Sequence, residues 1–103
     1  METRQDPRFK VRLRTHQSAD DHPDMNGTVL DLSLHGCRIG SSTPVNPGMV
    51  FSLRIEVPGC EQPIQIERAE VRWVRAMEFG LSFYAFTTNA YERLVAVIQQ
   101  LQL

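Results

Sequence analysis

Period-two alternation of apolar and polar side chains dominates the middle of the chain. In FSLRIEV, Phe51, Leu53, Ile55 and Val57 fall on one face while Ser52, Arg54 and Glu56 fall on the other. ERAEVRW sets Ala69, Val71 and Trp73 against Arg68, Glu70 and Arg72, and FGLSF repeats the pattern with Phe79, Leu81 and Phe83. Such segments read as half-buried antiparallel strands, packed on one face and wet on the other. FKVRLRT and GTVLDLS read as further strands, with GCRI a short one after them. Breakers separate the runs: a polar loop over residues 20–27 containing Pro23, a turn over 44–48, and another over 58–63.

Only the last segment has helical period. Tyr91, Leu94, Val95, Ile98 and Leu101 form one apolar stripe. Thr88 or Asn89 can cap its start, and Asn89 with Glu92 resembles a capping box. Five or six short strands followed by one helix predict a mainly β fold, a small antiparallel barrel. Closure removes exposed strand edges, and the helix covers an open end or a flank.

Composition narrows the class. A chain of 103 residues predicts one domain, and hydrophobic and charged shares of 42% and 22% are those of an ordinary globular protein. No run approaches the roughly 18 apolar residues of a membrane helix. METRQDPRFK is too polar for a signal peptide, so a cytoplasmic protein without membrane insertion is expected. Cys37 and Cys60 are too few for a disulfide framework, and each reads as a small core or surface residue. His16, His22 and His35 lack metal-ligand spacing, so no metal site is expected.

The net charge of −1 hides an uneven distribution. Arg4, Arg8, Lys10, Arg12 and Arg14 crowd together with Asp6 the only acid among them, and Asp20, Asp21 and Asp24 follow. This reads either as a solvated strand face or as a local basic arm suited to one small anion. A barrel binding single-stranded RNA or DNA would need a basic groove and several stacking rings. The near-neutral charge and aromatic share of 8% speak against such a polymer partner.

Two short patterns carry candidate chemistry. In Arg4-Gln5-Asp6-Pro7-Arg8, two arginines stand four apart around a proline that disfavours helix. Each guanidinium can grip phosphate with a fork of donors and stack on a flat ring. In Asp31-Leu32-Ser33-Leu34-His35-Gly36, at the end of an expected strand, Asp31 and Ser33 share a face. A carboxylate there can accept from the N1 and exocyclic amine of guanine, and a hydroxyl can donate or accept. Gly36 permits a tight bend or a close backbone approach. Taken singly, either pattern also reads as an ordinary arginine pair or an ordinary Asp/Ser turn. Asp31, Ser33 and His35 are no hydrolase triad, because no GxSxG elbow accompanies them.

Together, RxxxR followed by DxSxxG closely resembles the two-part signature of PilZ domains. The resemblance runs on through VNPGMVFSLRI, VRWV and FGLSF to the helix, and so covers almost the whole chain. It implies a six-stranded antiparallel β-barrel with a C-terminal α-helix as a single domain over 1–103. Residues 1–8 would form a mobile arm, 9–86 the barrel and 88–102 the helix. It further implies a non-enzymatic bacterial receptor or adaptor for cyclic di-GMP, without cofactor, signalling through altered contact with a downstream protein partner. The alternative is a PilZ-fold interaction module that does not bind nucleotide. By resemblance Arg4 and Arg8 hold phosphate and stack on guanine, with Gln5 between them. Asp31, Ser33 and Gly36 recognise a guanine edge and line the pocket. Thr3 stands where many relatives have a further arginine, which leaves open whether one or two ligand molecules bind. Trp73 reads either as a core residue, by its alternation with Ala69 and Val71, or as a stacking platform for a base.

Overall fold

The computed structural model describes residues 7–19 and 22–101, so of the expected arm only Pro7 and Arg8 are described. Six strands and one helix follow in chain order: β1 (Phe9–Ala19), β2 (His22–Leu32), β3 (Gly36–Gly40), β4 (Val50–Ile55), β5 (Ile64–Arg75), β6 (Glu78–Ala85) and α1 (Thr88–Leu101). The strands close into a barrel in the order β1-β2-β3-β6-β5-β4, with every neighbouring pair antiparallel. The expected architecture is the observed one.

The alternating apolar positions fill the barrel. Phe51, Leu53 and Ile55 from β4, and Phe79, Leu81 and Phe83 from β6, are all buried, as are Ala69 and Val71 from β5. Complete burial of a side chain of the larger kind stabilises by about 1.5–3 kcal/mol relative to exposure, so this interior is the main source of stability. Two polar residues of β1, Thr15 and Gln17, are enclosed with it at 0% and 1% exposure. Among the described residues, the Thr15 hydroxyl and both ends of the Gln17 amide have no hydrogen-bond partner.

The expected loop over 20–27 is largely strand. β2 begins at His22, and β1 pairs with it as far as Ala19 opposite His22. The register slips between the Gln17–Met25 and Ala19–His22 pairs. Pro23, which has no N–H to give a ladder, falls within that slip. Polar composition misled here because a hairpin end is held by backbone bonds whatever its side chains.

The helix starts earlier than its sequence suggests. Thr87, not Thr88 or Asn89, is the cap: its Oγ1 accepts from the Ala90 N–H at 3.0 Å. The buried face is Ala90, Leu94 and Ile98, with Val97 partly buried against the core, while Leu101 is exposed. Tyr91 instead stacks on Phe86, ring centroids 5.4 Å apart. Arg93 donates to the carbonyls of Gln62 and Pro63, tying α1 to the loop before β5.

Candidate functional site

Two bulges shape one patch of the outer barrel wall. On β2, Val29 pairs with Ile39 but Asp31 with Arg38, so Leu30 is an extra residue. Val29 and Leu32, three apart, therefore both face the core at 0% exposure, and Asp31 is turned to the outer face. On β5, Val71 pairs with Leu81 but Trp73 with Gly80, which makes Arg72 the extra residue. Val71 stays buried while Trp73 leaves the core. The alternation of Ala69, Val71 and Trp73 thus breaks at the bulge, and the core reading of Trp73 is corrected.

These register positions line up. Asp31 on β2 faces Arg38 on β3, Arg38 faces Gly80 on β6, and Gly80 faces Trp73 on β5. One outer row thus runs carboxylate, guanidinium, bare backbone, indole across four strands. The bare position is required: a Cβ at Gly80 would overlap the Trp73 indole. The indole lies across the glycine, with the Arg75 guanidinium 5.5 Å from its ring centroid, at the edge of cation–π range.

Asp31 is held from two sides. Arg8 Nη1 donates to Oδ1 at 2.8 Å, and Arg38 Nε donates to Oδ2 at 2.9 Å. Arg38 Nη1 donates onward to Glu78 Oε1 at 2.8 Å. The two arginines differ in freedom: the Arg8 side chain is 54% exposed, that of Arg38 29%. Hydrogen bonds to Asp31, then to Glu78, hold the Arg38 guanidinium even more firmly protonated than usual. The structure therefore brings together the second arginine of RxxxR and the acid of DxSxxG. Arg4 and Gln5 lie outside the described residues.

Ser33 and Gly36 sit differently from Asp31. Ser33 falls beyond the end of β2 and is 3% exposed. Its N–H and hydroxyl both donate to the Gly36 carbonyl, at 2.9 and 3.2 Å, and its Oγ accepts from the His35 N–H at 3.4 Å. Gly36 is buried against β6, where a Cβ would lie 2.5 Å from the Leu81 carbonyl oxygen. These two residues build the turn that carries Asp31 and Arg38 into facing positions. The expected shared face of Asp31 and Ser33 ends with the strand.

Sequence reasoning missed Arg38 and Glu78. Arg38 had a usable signal: it lies between the core residues Cys37 and Ile39, so it must point outward, a short turn away from Asp31. Glu78 had none, because it reaches Arg38 only through the β3–β6 pairing.

The family model for the PilZ domain matches residues 2–100, nearly the entire chain. The chain belongs to the PilZ domain family. No curated protein matches it significantly. Among solved structures, this PilZ chain is similar to the inhibitor of motility MotI/DgrA of Bacillus subtilis, with TM-score 0.74 and 18% identity over 99% of this chain and 53% of that one. It is similar to the PilZ domain of CeSA from a cellulose-synthesising bacterium, with TM-score 0.72 and 11% identity over 94% and 99%. A third is YcgR of Escherichia coli, crystallised in complex with c-di-GMP, with TM-score 0.79 and 16% identity over 96% and 46%. At these identities the likeness establishes the fold. The PilZ chain spans about half the length of MotI and of YcgR.

Proposed function

We propose that this PilZ domain is a receptor for cyclic di-GMP, acting as an adaptor rather than an enzyme. The observation that carries the reading is the row Asp31–Arg38–Gly80–Trp73 with Arg8 closing on Asp31. It supplies, side by side, what a dinucleotide with two purines and two phosphates needs. Asp31 accepts from the N1–H and amine of a guanine edge. Trp73 offers an outward ring for a base, a contact of about 1–3 kcal/mol. Arg8 and Arg4 grip phosphate and stack on guanine. Ser33 and Gly36 shape the pocket floor, and Gln5 lies within the clasping segment. The complex of YcgR with c-di-GMP supports the same ligand for this fold.

In this reading residues 1–8 are an arm that folds over the ligand as it binds, with Arg8 exchanging Asp31 for phosphate. Engagement of that segment changes the surface offered to a downstream protein, and that is the output. The setting is bacterial and cytoplasmic. Micromolar affinity requires about 8 kcal/mol net, within reach of several charge-assisted hydrogen bonds of about 1.5–3 kcal/mol each plus stacking.

One observation favours the alternative, an interaction module without nucleotide: Asp31 already has both oxygens satisfied by arginines. Isothermal titration calorimetry with cyclic di-GMP, on the wild type and on an Arg4→Ala/Arg8→Ala variant, separates the two. The receptor binds saturably at micromolar or tighter affinity and the variant loses it. An absence of binding by the wild type would leave the interaction module.

A further inference from the structure

Within the Arg8–Asp31–Arg38–Glu78 network the two arginines are unlike. Arg8 reaches Asp31 from just before β1, and nothing else among the described residues holds its guanidinium. Arg38 is bracketed: Nε on Asp31 and Nη1 on Glu78, from strands on either side of its own. A planar guanidinium held at two of its nitrogens is restricted in its swing, and so restricts the carboxylate oxygen it binds. Asp31 Oδ2 is thus tied to the barrel wall, while Oδ1 is tied to a group free to leave.

We propose that Arg38, anchored by Glu78, is the positioning residue that makes Asp31 selective for guanine over adenine. The inference rests on the receptor reading above and adds the origin of base selectivity. Guanine presents two parallel donors, N1–H and the exocyclic amine, which match a carboxylate lying in the plane of the base. Adenine presents an acceptor at N1, so a carboxylate locked in that plane meets a lone pair and is repelled. A carboxylate free to rotate can turn one oxygen toward the adenine amine and avoid the clash. Discrimination therefore depends on the lock and not only on the presence of Asp31. Each carboxylate oxygen has two lone-pair positions, so Oδ2 can keep Arg38 while accepting from the base. Departure of Arg8 frees Oδ1 for the second bond.

The test compares affinities for cyclic di-GMP and cyclic di-AMP, by calorimetry, in the wild type, Glu78→Gln, Arg38→Met and Arg38→Lys. Glu78→Gln removes the anchor charge and leaves Asp31 and Arg38 in place. It is expected to narrow the guanine-to-adenine ratio several-fold, and Arg38→Met by about tenfold or more, the scale of one charged hydrogen bond. Arg38→Lys keeps the charge but loses the fork, and is expected to behave like Arg38→Met in the ratio. A thermal melt of each variant shows whether it folds; Glu78→Gln, which removes only a half-exposed charge, carries the test if the Arg38 variants unfold. Variants that weaken both ligands equally and keep the wild-type ratio overturn the proposal and leave the receptor reading intact. A wild type that binds neither ligand overturns both.

Discussion

The indole of Trp73 covers Gly80 on the neighbouring strand so closely that a side chain at Gly80 would have to displace it. The pair turns an apolar ring outward on a wall that otherwise alternates core and solvent, beside Arg38 in the same row. Trp73 is the only tryptophan of the chain, so its fluorescence reports on this spot alone. Cyclic di-GMP is expected to quench or shift that emission saturably. Gly80→Ala should move the indole, alter the emission of the free protein and weaken binding about tenfold, the scale of one lost base stack. Emission indifferent to ligand in a protein that binds it would place the base elsewhere.

Gly36 is needed for packing. A methyl group there meets the Leu81 carbonyl oxygen, which is backbone and cannot turn aside. Gly36→Ala is expected to destabilise the fold by about 1–3 kcal/mol, the cost of overpacking a tight site. Thermal unfolding measures it, and a drop of about 4–8 °C per kcal/mol is expected at this size. An unchanged melting temperature would refute the close β3–β6 approach.

Inside the barrel the opposite holds at Thr15. Its hydroxyl is enclosed without a partner among the described residues, as is the amide of Gln17. Replacing a buried, unsatisfied hydroxyl by a methyl of similar shape removes a desolvation cost of about 1–3 kcal/mol. Thr15→Val is therefore expected to stabilise the domain, read as a higher denaturation midpoint at unchanged slope. A loss of stability would show that the hydroxyl has a hydrogen-bond partner after all.

On the outer wall, His16 bonds Glu56 through Nε2 at 2.6 Å and Asn26 through Nδ1 at 2.7 Å. The bond to Glu56, then that to Asn26, raises its pKa above the usual value, against a smaller opposing pull from desolvation and from Arg54. A group whose folded pKa is raised stabilises fully below its unfolded pKa and loses that contribution as pH rises through the folded value. The stability difference between the wild type and Glu56→Gln is therefore expected to be fullest below the ordinary histidine pKa of 6.5 and to fade as pH rises through the raised folded value. A difference that grows with pH would contradict the pairing.

Much of this molecule was legible from periodicity, and the exceptions lie where pairing, bulges or strand ends interrupt it. Phe51, Leu53 and Ile55, or Phe79, Leu81 and Phe83, follow strict alternation, and all are buried. Trp73 and Asp31 sit just past bulges, where one extra residue reverses which face the next side chain takes. Nothing local announces a bulge, since it depends on the partner strand's register. The Pro23 segment was misjudged because polar composition says nothing of the backbone bonds that hold a hairpin end. Asp31 and Arg8 were visible as motif residues, but their contact, and the Glu78 anchor beyond Arg38, exist only once the barrel closes. Ser33 looked like a face-mate of Asp31 because alternation was extended one residue past the strand end.

The most direct test of the account is a two-dimensional NMR titration of the isotope-labelled chain with cyclic di-GMP, since it reports binding and its place together. The predicted result is saturable shifts concentrated at Arg8, along residues 31–38, at Gly80 and at the Trp73 indole N–H. Shifts confined to the β1–β4 side, around His16 and Arg54, or no shifts at all, would contradict it.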